Sequence, residues 1–219
     1  MQHLQQWKNS EVQKMCDKLI IIGAGGHGKV VANIATLNGY KEIFFLDDDT
    51  SKKDIGKYQI IGTTKDISRY KNEYDFFIAI GNNQIRKKIS MLLLDNNIKP
   101  VSLIHPSAVI DDTVQIGYGV VIMANAVINA DTMIGNNVIV NTASSIDHDC
   151  IINDYVHISP GVHIAGNVYI EEKTWLCIGS IIINNITIGS NIIVGAGATV
   201  INDIDEKGIY IGIPAKRMV

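Results

Sequence analysis

The stretch SSIDHDCIINDYVHISPGVHIAGNV, residues 144–168, decides how the second half of this chain folds. Ile146, Ile152, Ile158 and Ile164 stand six residues apart in it. Followed outward in both directions, the spacing runs unbroken from Ile104 to Val200: seventeen positions, all aliphatic, thirteen of them Ile. Four residues after each, a second series is small or β-branched, from Ala108 through Thr132, Ser144, Cys150 and Thr174 to Ala198. The residue just after each aliphatic position is often Gly, Asn or Asp, a composition that suits a corner. A helix has no six-residue period, and a flat strand alternates every two. A unit of six with one large and one small inward residue is one side of a triangular coil, and three units close an 18-residue turn. The repeat therefore predicts about five turns, roughly 25 Å of column at ~4.8 Å per stacked strand.

Composition agrees. Of 219 residues 47% are hydrophobic but only 6% aromatic, and 40 are Ile. So much β-branched side chain, with 19 Gly and 4 Pro, belongs to strand and turn. The net charge of −3 argues against a nucleic-acid partner or a polybasic membrane contact. No uncharged apolar run reaches the length of a membrane span. Residues 1–17 are polar and lack the apolar core of a signal peptide. Cys16, Cys150 and Cys177 are an odd number without metal spacing, which reads as reduced thiols in a cytoplasmic protein.

The first half has a different grammar. A buried-strand run at 19–23, a helix over about 28–38, EIFFLDDD, YQIIGTT, a short helix near Ile67, DFFIAIGNN, a helix over 84–96 and a last strand around Val101 alternate along it. Such alternation predicts a parallel sheet covered by helices. The domains are thus an N-terminal extension (1–17), a Rossmann-like α/β domain (18–103), a β-helix (104–203) and a C-terminal tail (204–219).

Three groups of residues carry candidate chemistry. His148, two past Ile146, faces out of the column between Asp147 and Asp149, and a carboxylate beside an imidazole fixes its tautomer and stabilises its charged form. His157 and His163 also face outward, and with one His from a neighbouring chain they would be enough for a zinc site. His148 and His157 are nine residues apart, half a coil, so within one chain they lie on different sides. They meet only across an interface between columns packed side by side, which predicts a homotrimer. In the first domain, GAGGHGK (23–29) follows a strand and opens a helix, with Asp47 and Asp48 about twenty residues on. This is the form of a dinucleotide fingerprint, although no dehydrogenase domain follows it.

The segment 144–168, the later GAGATVINDI and the ending GIYIGIPAKRMV resemble the hexapeptide-repeat acyltransferases. More narrowly, residues 18–219 resemble bacterial sugar acetyltransferases with an N-terminal nucleotide-sugar-binding domain. The resemblance implies a left-handed parallel β-helix, acetyl-CoA as cosubstrate and no metal, which speaks against the zinc site. It implies an N-acetyltransferase acting on a UDP-linked 4-amino-4,6-dideoxy sugar, with sialic-acid O-acetylation as the neighbouring activity. By motif, His148 would be the general base and Asp149 its orienting partner, although related members often carry Glu there. His157 and the amide of Gly166 would lie at the thioester end of acetyl-CoA, and Lys216 or Arg217 at its phosphates. Gly25, Gly26 and His27 would line the sugar and phosphate path, and Asp47 and Asp48 would contact the uridine. Gly81, Asn82 and Arg86 of the second loop complete the substrate-binding set, Arg86 being either a phosphate partner or an exposed helix residue. A reading from another class is a non-catalytic nucleotide-binding solenoid.

Overall fold

The computed structural model describes residues 16–218. Its first part has strands β1 (Lys18–Ile22), β2 (Glu42–Leu46), β3 (Asp54–Ile55), β4 (Tyr58–Gly62) and β5 (Asp75–Ile78), with helices α1 (Gly26–Leu37), α2 (Ile67–Tyr70) and α3 (Asn83–Asp95). The strands lie in the order β3-β4-β2-β1-β5, all parallel except the short edge strand β3. One face of the sheet packs Leu19, Ile21, Phe45 and Phe77 against Val31, Ala32, Ile34 and Ala35 of α1. The other packs Ile20, Ile22, Phe76 and Ile78 against Ile89 and Leu93 of α3. Gly28 makes the first of these contacts possible, because a Cβ there would fall 2.4 Å from the Gly23 carbonyl.

The strand expected around Val101 does not form. Val101 makes a single backbone bond to Phe76 and the chain passes directly into the column, whose first rung is β6 (Leu103–Ile104). From β6 to β22 (Thr199–Val200) one two-residue rung recurs every six residues, and each pairs in parallel with the rung three later. The result is a left-handed parallel β-helix with three faces. Inward aliphatic residues from Ile122 to Val200 are at most 3% exposed and form one continuous core. The small series fills the space between them, and its hydroxyls satisfy corner carbonyls: Thr132 Oγ1 donates to Asp147, Ser144 Oγ to Asn141 and Thr174 Oγ1 to Gly189.

The corner chemistry differs from the sequence expectation. Left-handed backbone falls three residues after each aliphatic position, not one. From Gly119 to Gly197 every sixth residue has φ between 54° and 67°, most of them Asn, Asp or Gly, which tolerate that region best. Glycines directly after the aliphatic residue serve close stacking instead. A Cβ on Gly135 would lie 2.8 Å from the Asn153 and Asp154 backbone in the next coil.

The first domain sits on one column face. There the outward residues Leu103, Val121 and Ile139 are buried with Met123 against the α1 side of the sheet. Asn38 at the end of α1 bonds both the amide and the carbonyl of Ile104. Helix α3 runs along the adjoining corner edge, where Ser90 meets Asn137 and Tyr155, and Lys87 pairs with Glu172 at 2.9 Å. Beyond the last rung, β23 (Ile209–Ile211) continues this face and turns back as β24 (Lys216–Arg217). Among the described residues no helix is long and apolar enough to cross a membrane. The extension read as residues 1–17 lies almost entirely outside the described residues.

Candidate active site

His148 stands on the corner that follows rung β13 (Ser145–Ile146), on the edge of the column away from the docked domain. Its Nδ1 lies 2.7 Å from Oδ2 of Asp149, whose left-handed backbone (φ 59°) turns its side chain back along the corner. Asp147 Oδ1 accepts from Asn129 Nδ2 and from the backbone N–H of His148, which together hold it below the usual carboxylate range. The hydrogen bond to Asp149, helped by the nearby Asp147 charge, raises the pKa of His148 above the ordinary value of 6.5. The ring is well exposed and rests on Gly166, one coil farther on, where a Cβ would fall 2.6 Å from Cε1. This corner brings together His148, Asp149 and Gly166: a proton acceptor with a fixed tautomer beside an open backbone.

At the end of the sheet the glycine loop presents a second constellation. Gly25 caps α1 without a side chain, and neither Gly25 nor Gly26 has anything within 4 Å of a built Cβ. Open amides at a helix N-terminus suit an anion. Asp47 Oδ2 accepts from the Ala24 N–H at 2.7 Å, Oδ1 accepts from the Asp49 N–H, and Lys52 pairs with the carboxylate. Asp48 accepts from the N–H and hydroxyl of Thr64. Both carboxylates therefore hold the loops that frame the cleft. Asn82 caps α3 by accepting from Gln84 and Ile85.

The third group lies in the seam between the domains, and here the sequence expectations change. Arg86 is neither a phosphate partner nor an exposed helix residue. It is 1% exposed and donates to carbonyls of its own loop and of two column coils, because α3 lies against the corner edge. His157 faces out of the column as expected, yet it is buried beneath Gly81, with Nδ1 3.1 Å from that carbonyl and its ring stacked on Trp175. Burial and the Arg86 charge lower its pKa to about 3, and that of His27 to about 4. His157 and Gly166 thus belong to different faces of one chain, and His163 bonds Ser145 on the face between them. In the tail Lys216 is exposed, and Arg217 is held by Glu206 and the Lys207 carbonyl.

Two features escaped the sequence reading: the Trp175 stack and the Arg86 fan. Trp175 stands in line with His157 on the same outward row, so the register of the repeat was the available signal for the stack. For Arg86 there was none, since the column carbonyls it reaches lie 51 to 70 residues away.

Comparison with known proteins is consistent with this geometry. The PglD N-terminal domain family matches residues 18–93. The acetyltransferase domain of PglB from Neisseria gonorrhoeae FA1090 superposes with a TM-score of 0.89 at 41% identity, covering 93% of this chain and all of that one. The chain belongs to the hexapeptide-repeat nucleotide-sugar acetyltransferases. The perosamine N-acetyltransferase from Caulobacter crescentus, as a histidine-to-asparagine mutant with CoA and GDP-perosamine, gives a TM-score of 0.88 at 35% identity over 92% of this chain and 97% of that one. The PglB domain has also been solved with acetyl coenzyme A. UDP-N-acetylbacillosamine N-acetyltransferase of Bacillus subtilis (strain 168) is 37% identical over 108 residues, 48% of this chain. The chain spans about half the length of that curated relative.

Proposed function

We propose that this protein transfers the acetyl group of acetyl-CoA to the amine of a UDP-linked 4-amino-4,6-dideoxy sugar, for a bacterial surface glycan or glycoprotein. The observation that carries the proposal is the His148–Asp149 pair on its Gly166 floor. Neutral His148, its Nδ1–H held by Asp149, takes a proton from the sugar nitrogen as that nitrogen attacks the thioester carbon. The Gly166 amide is the candidate donor to the tetrahedral oxygen anion. Collapse breaks the C–S bond, and the proton held by His148 passes to the departing coenzyme A sulfur. Attack is direct: Cys150 points into the core, is fully buried and has its pKa pushed up by desolvation.

The substrate diphosphate would lie on the Gly25–Gly26 amides, with Gly81, Asn82 and His27 along the sugar path. Asp47 and Asp48 would frame the base. Lys216 and Arg217 would lie near the coenzyme phosphates, Arg217 by exchanging its Glu206 partner. Because His148 stands on the edge opposite the docked domain, a sugar held by one chain reaches His148 of another. A homotrimer meets this requirement. The exposed row Met133, Ile151 and Tyr169 would be covered in it. The cysteines described are unpaired, in keeping with a cytoplasmic enzyme.

A GDP-linked amino sugar is the second reading, favoured by the likeness to the perosamine enzyme. The test is release of coenzyme A thiol from acetyl-CoA with UDP- and GDP-linked amino sugars and with sialic acids. Turnover on a UDP-amino sugar is the expected result. Turnover only on sialic acid, or binding without thiol release, would overturn the proposal.

A further inference from the structure

The seam between the domains is built around a cation with no acid against it among the described residues. Arg86 Nε donates to the Asn137 carbonyl at 2.8 Å. Nη1 donates to the carbonyls of Ile80 and Gly81 at 2.9 and 3.0 Å. Nη2 donates to Asn83 Oδ1 at 2.9 Å, to the Tyr155 carbonyl at 2.7 Å and to that of Val156 at 3.4 Å. A buried charge is normally held by an opposite one. Here carbonyl dipoles from both domains do so, and only a planar fork with five donors reaches all of them.

One of these carbonyls has a second task. The Gly81 oxygen lies 3.1 Å from Nδ1 of His157, and an oxygen of this kind only accepts, so Nδ1 carries the proton. In the neutral ring Nε2 is then bare, and it is buried without a partner among the described residues. A proton added there would be an unmatched buried donor. The charged and titratable groups acting on this ring are Arg86 and His27, both from the first domain, and neither favours a second proton. From the column, Trp175 fixes the ring plane, stacked at 5.4 Å and 6°.

We propose that Arg86 is a positioning residue, holding the Gly81 carbonyl on Nδ1 of His157 and so locking that imidazole as a neutral Nδ1–H ring where the sugar-side loop meets the column. The sugar-side loop and the rungs behind it then move as one body. The link to turnover rests on the proposed acetyl transfer, whereas the lock itself is visible in the free protein.

The experiment is an NMR titration of protein labelled with 15N-histidine, without substrate, from pH 8 to 5. The His157 resonances, assigned by their loss in His157→Gln, are expected to show Nδ1–H with bare Nε2 and not to titrate. In Arg86→Lys, where one nitrogen replaces a fork, the Gly81 carbonyl is released from Nδ1, the tautomers should mix and the ring should begin to titrate within this range. If acetyl transfer is the activity, kcat should fall by roughly 10² through misplacement of about 1 Å and gain a second acidic limb. A wild-type ring protonated at Nε2 or titrating near 6.5 overturns the proposal, as does a folded Arg86→Lys with unchanged His157 signals. If Arg86→Lys does not fold, Arg86→Gln is read the same way, and the wild-type titration still upholds or overturns the lock. An absence of acetyl transfer leaves the NMR result standing, so the two proposals fail separately.

Discussion

The imidazole of His148 rests on Gly166, one coil farther along the column, so closely that a Cβ on Gly166 would fall 2.6 Å from Cε1 and 2.7 Å from Nε2. Gly166 has no left-handed φ to protect, so alanine is compatible with its backbone. What must move is the exposed ring, which swings off Asp149 at little energetic cost. Gly166→Ala is therefore expected to change the urea midpoint little and to lower kcat/KM by roughly 10², the effect of about 1 Å of misplacement. Wild-type turnover in a folded Gly166→Ala protein would show that the ring's position is not what the glycine protects.

With His148 as the base of the proposed transfer, its bond to Asp149 predicts a pH dependence. A general base works in its neutral form, and the carboxylate raises the pKa of His148 above 6.5, its hydrogen bond being the main cause. The rate should therefore rise with pH through a limb lying above 6.5. In Asp149→Asn the carboxylate is gone, so the limb should move down in pH while the plateau falls by about 10² to 10⁴. The kcat/KM profile of the two proteins checks both parts. An unmoved limb would assign the titration to another group.

These two residues were legible because the repeat has a phase. Counting six from Ile146 places His148 outside the core and Gly166 one coil away, and nothing in folding alters that count. The seam was not legible in the same way. Arg86 reads as an ordinary helix cation until α3 is laid along the corner of Asn137 and Tyr155. His157 reads as solvated until the first domain covers its face. A partial signal existed: Leu103, Val121 and Ile139 occupy outward positions on that same row, where a solvated face would carry polar residues. The corner was misplaced for a different reason. Both the stacking glycines and the left-handed residues draw on Gly, Asn and Asp, and Ala143, Tyr155 and Lys173 adopt left-handed φ without belonging to that set.

Acid should loosen the seam first. His27 and His157 have folded-state pKa values of about 4 and about 3, below the 6.5 of an unfolded chain. Between those values the unfolded state binds more protons, so stability is full above 6.5 and is lost as pH falls below it. With two groups the slope reaches up to about 2–3 kcal/mol per pH unit near pH 5. Urea unfolding at pH 7.5 and 5 measures it. His157→Gln removes one of the two protons and should show about half the slope.

The row that carries the first domain gives the last prediction. Ile139 is 1% exposed, between Val121 and His157 on the covered face. Ile151 is the matching outward residue on the third face and is 38% exposed in the single chain. The two side chains are identical and the rungs equivalent, so any difference on truncation reports what covers them. Ile139→Ala leaves a cavity between the domains and should lower stability by about 2–5 kcal/mol. Ile151→Ala should change an isolated chain by less than about 0.5 kcal/mol, as exposed substitutions do. In a homotrimer that uses this row, its effect should instead grow and depend on protein concentration. Urea midpoints at two protein concentrations compare the variants, and equal, concentration-independent losses would contradict both the one-face docking and the covered third face.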